Sequence, residues 1–107
     1  MGGVRPNEGA VISRARLNAS DIWRLQPPGR FYLVETNYDH WLPVPKSDPR
    51  RTVANDLMAK STPATVSLPF LNHVLTTVPV FNPETTYTAL MCAGNGTLDA
   101  VTRNEHD

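Results

Sequence analysis

Residues 42–49 read "LPVPKSDP", and no central strand can run through them, because proline has no N–H to give a ladder. A second break falls at "QPPGR", residues 26–30, where two prolines and a glycine supply turn chemistry. Strand signals crowd the chain before residue 42, and helical spacing begins after residue 48.

Before the first break, "GAVISRARL" alternates, with Val11, Ser13 and Ala15 on one side and Ile12, Arg14 and Arg16 on the other. It reads as a half-exposed strand. "DIWRL", residues 21–25, is a short second strand. Phe31 to Thr36 is β-branched, aromatic and almost continuously apolar, the pattern of a strand covered on both faces. Together these predict strands over about residues 10–37.

Asp48 followed by Pro49 reads as a helix opening, with a side-chain acceptor at the cap and a preset φ at the first helical position. Val53, Ala54, Leu57 and Met58 then share one face. The first helix is predicted over about 49–60. A second is predicted over about 68–78, opening at Ser67 and turning Leu71, Val74, Leu75 and Val78 inward. "FNPETT" interrupts it, and a hairpin follows over about 85–102, with "GNGT" as its tight turn.

The order is strands, two helices, then a hairpin, within one α+β domain spanning residues 1–107. It suggests a sheet with both helices on one face. Helices on one face cannot also cover the other, so an apolar face is left looking for a second sheet or a second chain.

Charge narrows the function. Ten basic and ten acidic residues cancel, so no field draws the chain to nucleic acid or acidic lipid. Cys92 is the only cysteine, which rules out an internal disulfide. His40, His73 and His106 are scattered, and neither a metal nor a cofactor is expected. No apolar run is long enough to span a bilayer, and "MGGVRPNEG" lacks a signal peptide's apolar core.

"FYLVETNYDHW", residues 31–41, carries the candidates. Asn37 sits where the strand ends. Its amide N–H either donates to a developing oxyanion or closes the strand with a local bond to backbone. Asp39 and His40 are adjacent, so in extended chain they point apart and read as a solvated or capping pair. Trp41 reads as a core or pocket-wall residue. Arg50 and Arg51 fall in the first turn of a helix, against the dipole, as residues answering to a carboxylate partner or as tolerated exposed charges. Cys92 reads as a small apolar strand residue without an adjacent base. Asn18-Ala-Ser20 and Asn95-Gly-Thr97 are glycosylation triplets wherever the chain meets the secretory route.

"EGAVISRAR", "DIW", "VETNYDHW", "DPRRT", "TTVPVFNPETTYTALM" and the closing "TR" together resemble the C-terminal part of the acid ceramidase family of N-terminal-nucleophile hydrolases. The resemblance runs collinearly from about Gly3 to Arg103, and His40 within "NYDHW" resembles the family's acid amidase branch. It implies two antiparallel sheets between helical layers, of which this chain would be part. It also implies a precursor that cuts itself to free an N-terminal cysteine, whose α-amine serves as base.

The implied reaction is hydrolysis of N-acylethanolamines, fatty acyl amides, to fatty acid and ethanolamine at lysosomal pH. By the family pattern Asn37 matches the oxyanion-stabilising asparagine and Arg50 an arginine near the site. The implied partners are the upstream segment of the β-subunit and the α-subunit, with no role for nucleic acid. The family's nucleophilic cysteine lies upstream of the matched region, so the chain alone is expected to be inactive. Alternatives are a fragment of the ceramidase type and a non-catalytic lipid- or protein-binding module. The chain departs from the family in carrying Pro49 where a second acid often precedes the arginine pair.

Overall fold

The computed structural model describes residues 1–3, 5 and 8–103; His106 lies outside them. β1, Ala10–Arg14, pairs antiparallel with β2, Ala19–Arg24, Ile12 standing opposite Ile22, and the register slips between Ser13 and Arg14. Val11 and Ser13 are half-buried while Ile12 and Arg14 are exposed. The Met1 α-amino group donates to Ala10 O at 2.8 Å, holding the first residues against this hairpin. At the Pro27–Pro28 break, Gln26 and Arg30 exchange backbone hydrogen bonds of 2.8 and 2.9 Å and turn the chain around.

The segment with the strongest strand pattern, Phe31 to Thr36, forms no ladder. Its composition suits a strand, but a strand exists only when a neighbour takes its N–H and C=O groups, and none of the described residues does so. It still contributes packing, because Tyr32 and Val34 rest on the helical core. The lack of a ladder also corrects the single sheet expected from the element order. Two separate two-stranded antiparallel sheets form instead, with both helices between them in sequence, and the molecule is α+β.

Helix α1, Arg50–Met58, starts after Pro49, which occupies the cap position; no side chain caps it. Of the Asp48 cap expected from sequence only a long contact remains, 3.5 Å from the Arg50 backbone N to Oδ1, because that carboxylate is held closer, at 2.7 Å, by the Arg50 side chain. α2, Leu68–Thr76, is capped as its sequence indicates, with Ser67 Oγ accepting from Phe70 N at 3.2 Å. Ala54, Met58 and Val74 form the buried cluster, with Leu57, Val66, Phe70, Leu71 and Val80 packed round it. Leu75 is 38% exposed on the cleft, and Val78, past the end of α2, is 74% exposed. The helix stops before Val78, at Thr77, which is already extended, so Val78 is not carried inward.

β3, Tyr87–Cys92, and β4, Thr97–Thr102, pair antiparallel across a turn at 93–96. Gly96 has φ +71, a left-handed conformation that glycine adopts without steric cost. α2 packs against both α1 and β3. Between segment 31–36, the two helices and the β3–β4 turn lies an open cleft of about 1050 Å³, walled by such apolar residues as Phe31, Leu33, Met58, Leu71 and Leu90. No helix among the described residues is long and apolar enough to cross a membrane.

Candidate active site

Asn37 lies in a bend at the end of the extended segment, with its side chain at the surface. The local side-chain-to-backbone bond that would make it a mere strand terminator is not formed. Its Oδ1 instead accepts from Arg50 Nη2 at 2.6 Å. A guanidinium offers only donors, so the amide oxygen must face it and the NH2 group must face away. Among the described residues, nothing accepts a hydrogen bond from Asn37 Nδ2. The donor pair is left free.

Arg50 in turn is held by Asp48. Its Nε donates to Oδ1 and its Nη2 to Oδ2, both at 2.7 Å, the two-pronged arrangement that makes arginine–carboxylate pairs specific in orientation. The Arg50 side-chain hydrogen bond holds the Asp48 carboxyl below its ordinary 3.8; loss of solvent acts the other way, and the Arg50 backbone N–H and positive charge add to the lowering. The same bond raises the Arg50 pKa. Of the two sequence readings for Arg50, the carboxylate partner is the one the fold supplies.

Arg51 behaves differently. Only 7% exposed, it donates from Nη1 to Asp39 O at 3.0 Å and from Nη2 to Leu42 O. It ties the 37–42 turn to α1 through backbone carbonyls, with no carboxylate involved.

His40 is neither solvated nor part of a pair with Asp39. Its Nε2–H donates to Asp21 Oδ2 at 2.7 Å, and its ring stacks on Trp23 with centroids 4.0 Å apart and planes 7° from parallel. Trp41 meets His40 edge-on at 5.0 Å but is 53% exposed, so it is not a core residue. β2 thus anchors one side of the turn and α1 the other. The partnership of Asp21 and Trp23 with His40 was missed from sequence. Alternation along "ASDIWR" does place Asp21 and Trp23 on one face of β2, and that was the available signal.

The site adjoins the apolar cleft. Thr36 and Arg50 line it, while Asn37 stands just outside that lining. Cys92 is half-buried in β3 and lines the same cleft. Among the described residues, no cluster of histidine, cysteine or acidic side chains could hold a metal ion. Asn95 sits in the β3–β4 turn with Oδ1 accepting from Thr97 N at 3.0 Å, and Asn18 is exposed between β1 and β2.

No family model matches the chain. Curated relatives do. The N-acylethanolamine-hydrolyzing acid amidase of Cavia porcellus is 50% identical over 94 residues, 87% of this chain. That of Rattus norvegicus is 49% identical over 94 residues, and the acid ceramidase of Heterocephalus glaber is 39% identical over 105 residues, 97% of the chain. The chain spans only about 27% of the length of the curated relatives it matches. At this identity along most of its length, the chain belongs to the family of N-acylethanolamine-hydrolysing acid amidase and acid ceramidase, as a C-terminal portion of it.

Proposed function

We propose that this chain is the C-terminal segment of a lysosomal cysteine amidase that hydrolyses N-acylethanolamines to fatty acid and ethanolamine. In this reading the Asn37 Nδ2–H donates to the oxyanion formed when a thiolate attacks the acyl carbonyl, and Arg50 borders the site. Collapse of the oxyanion breaks the C–N bond and expels ethanolamine, whose nitrogen takes up the proton removed from the thiol, and water then releases the acyl group from sulfur as fatty acid. The two hairpins become margins of larger sheets in an αββα N-terminal-nucleophile fold completed by the upstream β-subunit segment and the α-subunit. The thiol must come from outside this chain, since Cys92 is internal and has no α-amine. Alone the chain does not turn over acyl amides.

The observation that carries the reading is the 2.6 Å contact between Asn37 and Arg50. The two family-matched residues lie thirteen positions apart in sequence, yet share one hydrogen bond and leave a free N–H pair beside an apolar cleft. An acyl chain is the kind of ligand such a cleft accommodates. The amidase rather than the ceramidase branch is supported by the higher identity, 50% against 39%, and by His40.

The test joins this chain to the upstream portion of the Cavia porcellus amidase. The joined polypeptide and the chain alone are assayed at acid pH on a long-chain N-acylethanolamine and on ceramide. Turnover is expected only from the joined polypeptide, with preference for the acylethanolamine, and Asn37→Ala should lower kcat by roughly 10²–10³. Activity of the chain alone that Asn37→Ala abolishes would overturn the need for an outside nucleophile. Undiminished turnover in the joined Asn37→Ala variant would remove the oxyanion role.

A further inference from the structure

We propose that Asp48 is a positioning residue for this site, gripping Arg50 so that its guanidinium occupies the Asn37 amide oxygen and keeps the amide NH2 group turned outward. The consequence for catalysis rests on the oxyanion reading above; the three-residue relay itself does not.

The argument begins with the amide. A primary amide rotated by half a turn exchanges oxygen for NH2, and at an exposed position little else decides between the two orientations. Arg50 decides it here, because a flipped Asn37 would set donors against donors across 2.6 Å. The guanidinium can act this way only if it stays in place. An arginine side chain left to itself at a half-exposed position samples many rotamers, and ordering it costs entropy.

Asp48 removes that freedom. Its two carboxylate oxygens take Nε and Nη2 at 2.7 Å each, which fixes the guanidinium plane and leaves the second N–H of Nη2 for Asn37. Asp48 is itself anchored. Its backbone N donates to Pro45 O at 3.1 Å, and Pro49 restricts the chain between it and Arg50. The only other contact on that carboxylate among the described residues is a long one, 3.5 Å from the Arg50 backbone N to Oδ1, which draws it towards the same residue. One acid therefore suffices to orient Arg50 in a chain that carries Pro49 beside it.

Side-chain amide NMR on the intact chain tests the relay directly. In the native chain the Asn37 Nδ2 signals should be displaced from the positions of a solvated asparagine, because the Arg50 N–H polarises the amide oxygen. The carboxyl of Asp48 is held below its ordinary 3.8, so the contact exists above that pH and is lost as pH falls through the lowered value. The Asn37 signals should move on acidification with a midpoint below the ordinary 3.8. Asp48→Asn should shift them at neutral pH and abolish the acid transition. Tyr38 and Glu84 also act electrostatically on Arg50, and Tyr38→Phe and Glu84→Gln should leave the transition in place.

Backbone amide signals outside residues 36–51 report whether each variant is folded. Should Asp48→Asn fail to fold, Arg50→Lys serves instead, since one ammonium cannot make the fork and should also shift the Asn37 signals. Native-like Asn37 signals in a folded Asp48→Asn or Arg50→Lys chain would overturn the relay. In the joined polypeptide, Asp48→Asn should lower kcat by up to about 10²-fold with little change in KM, and Asp48→Glu should recover part of it. An intact NMR relay in an inert joined polypeptide would refute the amidase reading alone.

Discussion

Arg50 and Arg51 are neighbours in sequence and face opposite demands. Arg50 is held through Nε and Nη2 by a carboxylate on one side and an amide oxygen on the other. Arg51 is buried, and its donors satisfy the carbonyls of Asp39 and Leu42, which close the turn carrying the site. Arg51→Met keeps the apolar stem and removes the donors, leaving the Leu42 carbonyl unpaired among the described residues and that of Asp39 with only its 2.9 Å bond from Leu42 N. A loss of roughly 1–3 kcal/mol is expected from urea unfolding. Unchanged stability would mean that water already serves those carbonyls. Sequence showed that both arginines oppose the helix dipole, but not which partner each one meets, because the partners lie two to thirteen residues away and depend on how the turn is folded.

At the scale of elements, local chemistry explains the helices better than the strands. α2 has its acceptor at Ser67 and a proline in its first turn, and both act within one turn of chain. Ser67→Ala should destabilise the molecule by about 1 kcal/mol, read as a lowered urea midpoint; no shift would show that the Phe70 N–H is equally well served by solvent. The sequence of α1 offers Asp48 as its cap, yet the carboxylate lies 2.7 Å from the Arg50 side-chain donors and only 3.5 Å from the Arg50 backbone N. A charged, two-pronged donor is a stronger claimant than a single backbone N–H. Segment 31–36 illustrates the reverse difficulty: its residues satisfy every local preference of a strand, and only the absence of a pairing neighbour among the described residues denies it a ladder.

For the whole molecule, the core is small. Ala54, Met58 and Val74 are its buried centre, and an open apolar cleft lies beside them. Met58, 4% exposed, packs where α1 meets that centre. Met58→Ala should cost about 2–5 kcal/mol, a large share of the roughly 5–15 kcal/mol typical of a domain, and thermal unfolding followed by circular dichroism will measure it. A loss under about 1 kcal/mol would place the centre of stability elsewhere. By itself the sequence determined what depends on near neighbours: where prolines forbid a ladder, which faces of the helices are apolar, where Ser67 and Gly96 begin and turn an element, and which family the motifs resemble. Tertiary structure alone decided that the hairpins stay separate, that His40 reaches back to Asp21, and that Asp48, Arg50 and Asn37 meet. Those outcomes rest on hydrogen bonds between groups whose distance is set by the folded path of the chain, and residue spacing carries no measure of that path.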